Sequence, residues 1–295
     1  MGPLLLADDD MPPVLNWHHF GAFQIDFASV LIVGAAVLYA AGVWRVNRAQ
    51  PDRKWSGKRC LAFAGGLVVT FLAVEGFVGV YDDVLFYDHM VQHLMLIMVA
   101  APLFAMGAPV ELLQRACTGT GRVGDLVDRS LGSRLADLVA HPVVDFLLYA
   151  VLIPVCHLTS FYNFTLTHEQ AHDSEHLLFL VIGYLFWRHV VAVEPSRHPL
   201  HPAVRLLYLA LAVPVDTFTG LALASSSHEL FPAYDALRRP WGPTRLADLH
   251  IGGVIMWVCG DSLMLLAMVP VALQWMRQDE RDASDHDRQL TADSG

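Results

Sequence analysis

Apolar residues run through this 295-residue chain in seven blocks, each long enough to predict a membrane-spanning helix. The blocks are Ile25–Trp44, Leu61–Val80, His89–Met106, Val143–His157, His172–Val191, Val204–Ala224 and Leu246–Trp275. Helix is the expected form because hydrocarbon offers no partner to a backbone N–H or C=O, so each block must satisfy its own. The polar positions between blocks carry the orientation. Arg45, Arg48, Arg53, Lys54, Lys58 and Arg59 fill the first connection, and Arg115, Arg122, Arg129 and Arg134 the third. Arg188, Arg197 and Arg205 follow in the fifth, and Arg277, Arg281 and Arg288 in the tail. Only Arg238, Arg239 and Arg245 fall on the other side. Basic loops stay in the cytoplasm. The pattern therefore predicts an all-α integral membrane protein, a seven-transmembrane-helix bundle with its N-terminus outside and its C-terminus inside. Residues 1–24 form an outer segment, 25–276 the bundle and 277–295 a polar cytoplasmic tail.

Composition agrees with that reading. Hydrophobic residues make up 55% of the chain and charged residues 16%, against about 25% charged in soluble domains. The net charge of −10 argues against nucleic acid, which calls for a basic patch. Met1–Pro13 has no basic residue ahead of its short apolar run, so no secretory signal is expected. The cysteines Cys60, Cys117, Cys156 and Cys259 form no C-x-x-C, which argues against a thioredoxin-like centre or a thiolate zinc knuckle.

Histidine carries the candidate chemistry. His89 and His93 stand one helical turn apart at the mouth of the third block, and His172 and His176 repeat that spacing at the mouth of the fifth. An isolated pair most often lines a hydrated helix end; two pairs at one depth offer four nitrogens to a metal ion. His157 closes the fourth block and His250 opens the seventh on the same outer side, so both are ligand candidates. Glu175 and Asp88 each precede a paired histidine and point about 100° away, which suits acceptors for ring N–H groups. Cys156 and the methionines of the third and seventh blocks read as packing residues. Glu75, Asp216 and Asp261 lie inside spans, where a carboxylate is costly and so a functional candidate. Gly252, Gly253 and Gly260 would let another helix approach the face that carries Asp261 and His250.

His168-Glu169-Gln170-Ala171-His172 is a literal H-E-x-x-H, the pattern in which two histidines bind zinc and the glutamate acts as base. It raises the alternative of a seven-helix zinc-dependent membrane hydrolase using His168, Glu169 and His172. A heme-binding or scaffolding protein with axial histidines is a further alternative.

Several blocks in order resemble the CtaG family of cytochrome c oxidase assembly factors. His89-Met90-Val91-Gln92-His93-Leu94 leads into Ala101-Pro102-Leu103 and Gly107-Ala108-Pro109. His157 follows, then Glu175-His176-Leu177, Leu185-Phe186-Trp187, and Asp248 ahead of Gly252-Gly253-Val254-Ile255-Met256-Trp257. The resemblance implies a seven-helix protein of the bacterial cytoplasmic membrane that matures heme-copper oxidases by helping copper reach the CuB centre. It implies no catalysis. It carries over His89, His93, His157, His176 and Asp248, with His172 added by spacing. The chain departs from the family pattern at Asp248-Leu249-His250, where Asp-Gln is expected. The implied partners are an oxidase subunit, the lipid bilayer and a periplasmic copper donor. Copper is the metal by resemblance, and zinc belongs to the hydrolase alternative.

Overall fold

The structure, a computed structural model, describes residues 27–236 and 239–293. The expected outer segment, with His18 and His19, lies outside these residues. Among them there are helices and connections but no strand. Among the described residues five helical stretches are long and apolar enough to cross a membrane: Phe27–Ala49, Gly57–Tyr81, Phe86–Cys117, Pro202–Ala224 and Arg245–Arg281. The chain is thus a multi-pass membrane protein. The other two expected spans are helical as well. The first of them, Pro142–Leu158, is shorter. The second, Glu169–Val191, opens with Glu169, His172, Asp173, Glu175 and His176, and those polar turns lower its hydropathy.

In chain order the elements are α1 (Phe27–Ala49), α2 (Gly57–Val74), a short α3 (Phe77–Tyr81), then α4 (Phe86–Leu94). A π-helical stretch, Met95–Ala100, joins α4 to α5 (Ala101–Gly107) and α6 (Pro109–Cys117). Two short helices, α7 (Arg122–Leu131) and α8 (Arg134–Val139), precede α9 (Pro142–Leu158). The rest is α10 (Ser160–Thr165), α11 (Glu169–Val191), α12 (Pro202–Ala224) and α13 (Arg245–Asp293). The polar stretch after Trp275 continues α13 as helix to Asp293, since no glycine or proline interrupts it.

The main core joins α4, the π stretch, α5 and α9 to α13 through Phe86, Met90, Tyr149, Phe179, Phe186 and Leu209, all buried. A smaller core of Tyr39, Trp55, Phe63 and Leu112 holds α1, α2 and α6 together. Glycine sets a close contact between helices. A Cβ on Gly220 would lie 2.7 Å from the Gly253 carbonyl oxygen, and one on Gly253 equally close to that of Gly220, so α12 and α13 touch backbone to backbone. Ends of the bundle differ in charge. Arg45 donates to the Ala116 carbonyl (2.6 Å), Arg59 to Glu111 (2.7 Å) and Arg115 to the Arg53 carbonyl (2.6 Å), which gathers the first and third basic connections at one end. The histidine pairs sit at the other.

Candidate metal centre

The sequence sets up the centre at the first turn of α4. Asp248 Oδ1 accepts the Tyr87 N–H (3.0 Å), satisfying a donor that the helix start leaves free. From that fixed start, His89 and His93 follow on one face, their ring centroids 4.1 Å apart. The α11 pair, His172 and His176, has centroids 4.4 Å apart. The two pairs meet. His89 stacks on His172 at 5.2 Å, and His176 stands 6.1 Å from His89 and 6.2 Å from His93.

Carboxylates close the ring of donors. Asp82, in the turn after α3, joins His89, His172 and His176 in a set whose ligand atoms all lie within 4.8 Å of one another; His89, His93 and Glu175 form a second such set. Nitrogens about 2.0–2.1 Å from one ion are at most about 4.2 Å apart, so small side-chain adjustments would close either set on a metal. The distances from His172 and His176 to Asp82 (3.7 and 3.9 Å) and from His89 to Glu175 (3.9 Å) are too long for hydrogen bonds. The consequence is a concentration of orphans: both nitrogens of His89 and His176, and Nε2 of His93 and His172, are buried without a hydrogen-bond partner. Each such group costs roughly 1–3 kcal/mol. That chemistry fits a bound cation, which would satisfy nitrogen and oxygen lone pairs together.

Neighbouring groups orient the donors. His157 Nδ1 lies 2.7 Å from the Ile153 carbonyl, which can only accept, so the proton sits on Nδ1 and Nε2 is left as acceptor. His93 Nδ1, 3.2 Å from that Nε2, then donates, and His93 Nε2 keeps its lone pair for the centre. His157 thus stands behind His93. Phe179 stacks on the His93 ring at 3.9 Å and holds it in place. Gln92 donates to Asp82 Oδ2 (2.6 Å) and to the Ala73 carbonyl (3.1 Å), pinning the Asp82 turn over the centre. Burial, and then the neighbouring Asp83 charge, push the Asp82 carboxyl well above the usual carboxylate range, against the Gln92 bond. A cation would relieve that strain on the anion.

Other expected ligands lie elsewhere. His250 Nε2 is 2.8 Å from the Ser226 carbonyl and ties α13 to the loop after α12. Asp248 uses its second oxygen to accept from Arg239 (2.9 Å), so it acts on the centre through the start of α4. His168 precedes α11 as its N-cap, is exposed, and stacks on Phe164 at 4.1 Å. It is absent from both donor sets, whereas His172 belongs to one. Glu169, the base of the H-E-x-x-H, has a side chain outside what the structure describes. Glu75 accepts from Ser29 (2.7 Å) and Asp261 from Thr217 (2.6 Å), both interhelical bonds. Sequence reasoning missed Asp82 and Gln92. The pair Asp82-Asp83 in a short connection was the available signal, but polar connections are ordinarily solvated.

Comparison with known proteins adds the context. Residues 37–278 match the family described as the cytochrome c oxidase caa3 assembly factor. The chain belongs to that family. Every residue of the centre, from Asp82 to His176, lies inside the part matched to the caa3 assembly factors. Uncharacterized proteins of Mycobacterium bovis and Mycobacterium tuberculosis are each 29% identical over 264 residues, which is 88% of this chain and 40% of theirs. One of Mycobacterium leprae is 28% identical over 267 residues, with the same coverage. This chain therefore spans 40% of the length of the curated relatives it matches. No solved structure matches it.

Proposed function

We propose that this protein is a copper-binding assembly factor for heme-copper oxidases. It takes copper at the histidine centre and aids delivery to the CuB centre of an oxidase subunit in the same membrane. The observation that carries this reading is the convergence of His89, His93, His172 and His176 with Asp82 and Glu175 in one buried cluster with unsatisfied imidazole nitrogens. Membership of the caa3 assembly factors supplies the recipient, and imidazole nitrogens accept copper readily. His89, His172, His176 and Asp82 would hold the ion, with His93 and Glu175 as the adjoining set. His157 keeps the His93 lone pair turned inward. Bound copper would supply only its own charge and exchangeable coordination, so no catalytic role is assigned.

The same reading places the protein in the bacterial cytoplasmic membrane with seven spans and its N-terminus outside, so that the centre faces a periplasmic copper donor. An apolar groove between α1, α2 and α11 has His176 in its wall, which suits handing the ion sideways to a membrane partner. The test is titration of the purified full-length chain in detergent with Cu(I), Cu(II) and Zn(II), beside the His93→Ala/His176→Ala double variant. Wild type should retain copper through gel filtration and the double variant should lose it. Equal uptake by the two proteins would overturn the reading.

A further inference from the structure

His141, the N-cap of α9, and four residues of the helix recur at every fourth position: Asp145, Tyr149, Ile153 and His157. Positions i and i+4 lie along a ridge that slants round a helix, so this ridge meets a different neighbour at each turn. Asp145 Oδ2 lies 2.8 Å from Nε2 of His189 on α11. One turn on, the Tyr149 hydroxyl donates to both oxygens of Asp216 on α12, at 2.9 and 2.7 Å. Asp145, Tyr149, His189 and Asp216 are all buried. From His141 to His157 the ridge is about 24 Å long, most of a hydrocarbon core about 30 Å thick.

Further polar groups lie beside these pairs. Toward the metal centre, a small cavity is walled by His93, His157, Asp216 and the methionines Met90, Met98 and Met256. It has His93 of the centre and Asp216, the acceptor of Tyr149, in one wall. Toward the opposite end, Asp145 Oδ1 and the Tyr208 hydroxyl are buried without hydrogen-bond partners. The Tyr208 ring stands 6.1 Å from His189, two turns before Asp216 on α12. At the surface, the partly exposed His141 lies 4.9 Å from His198, whose Nε2 is 3.2 Å from Asp137. Polar pairs that only fasten helices together need share no ridge. Ionisable groups in file through a bundle are the arrangement of a proton relay.

We propose that the α9 ridge is a proton-conducting line from the cavity beneath the histidine centre to the opposite end of the bundle. Its working groups are Asp216, Tyr149, Asp145 and His189. A proton taken up by the Asp216 carboxylate passes to the Tyr149 oxygen, and the tyrosine, turning its hydroxyl off Asp216, releases its own to Asp145 one turn back along the ridge. His189 accepts the proton from Asp145 and gives it up at the His141–His198 surface. One proton enters, one leaves, and every group returns to its starting form. Such a line would let the charge of a cation entering the centre be balanced from the far side.

The test uses the full chain in phosphatidylcholine–phosphatidylglycerol vesicles loaded with potassium and the pH dye pyranine. Valinomycin then imposes a potential that draws protons inward. Wild type should acidify the lumen several-fold faster than protein-free vesicles, while Asp216→Asn and Asp145→Asn should fall to the protein-free rate. Asp261→Asn, which removes a comparable interhelical carboxylate off the ridge, should conduct like wild type. Tyr149→Phe, which keeps the ring, serves if a carboxylate variant fails to fold; it too should fall to the protein-free rate. Wild-type vesicles no faster than protein-free ones, or folded ridge variants as fast as wild type, would overturn the line. No metal enters the readout, so such a result would leave the reading of the histidine centre standing.

Discussion

His157 shows how a single imidazole can matter without joining either donor set. Its Nδ1–H is committed to the Ile153 carbonyl, so its Nε2 fixes the tautomer of His93. Replacing such an outer partner costs about 10–100-fold in metal affinity. His157→Phe should therefore weaken copper binding by that order while leaving the stoichiometry and the nitrogen count seen by X-ray absorption unchanged. A lost nitrogen would make His157 a direct ligand instead. Asp82 supplies the pH dependence. Its carboxyl is raised in the folded protein, chiefly by burial, so its contribution to stability is present below the unfolded value of about 3.9 and lost as pH rises through the folded value. Without metal, Asp82→Asn should melt higher than wild type at neutral pH, with the gain fading toward pH of about 4. Its copper affinity should fall, since an anionic ligand is gone. Copper retention by wild type should itself decline in acid, as protons compete for the imidazoles.

Among the elements, the π stretch after α4 carries the most consequence. Each wide turn shifts the side-chain register, and π turns gather at functional sites. Here the Trp187 indole N–H donates to the Ile97 carbonyl (2.7 Å), and Gly183 lets α11 come close to Ile97, where a Cβ would meet its side chain at 2.9 Å. Together they clamp the helix that carries His89 and His93 against the one that carries His172 and His176. Trp187→Phe should cost about 1–3 kcal/mol for the orphaned carbonyl and weaken copper binding more than stability alone explains, as read by calorimetry beside a melting curve. The α12–α13 contact is set differently. Gly253→Val would force a side chain against the Gly220 carbonyl and the Ala224 nitrogen, 2.6 Å from the added Cβ. A loss of at least about 1–3 kcal/mol is expected, visible as a lowered melting temperature in detergent.

Viewed as a whole molecule, the bundle separates its chemistry by end. Arginines from the first and third connections bind one another's carbonyls and carboxylates at one end, while the histidine centre occupies the other. A periplasm-active reporter fused in the loop after α12 should be active, and the same reporter after α13 silent, if basic loops stay inside. Reversed activities would turn the bundle over and put the centre on the cytoplasmic side. Cells lacking the protein should lose heme-copper oxidase activity and its copper content. Wild type should restore both, and the His93→Ala/His176→Ala variant should restore neither.

Much of this was legible along the chain because its causes are local. Hydrocarbon compels helix, so the apolar blocks gave helices wherever they were described, and i, i+4 spacing alone put His89 with His93 and His172 with His176 on shared faces. The glycines ahead of Trp257 likewise announced a close helix contact. What spacing cannot contain is rotation and depth, because these depend on how one helix packs against another. Only the folded bundle turned the two histidine pairs together, drew Asp82 and Gln92 from a short turn over them, and set His157 behind His93. Packing also left His250 and Asp248 to bind a loop and a helix start. A linear pattern ranks residues by chemistry, but whether a donor faces an ion or another side chain is decided by which orphaned partners the tertiary fold brings within reach.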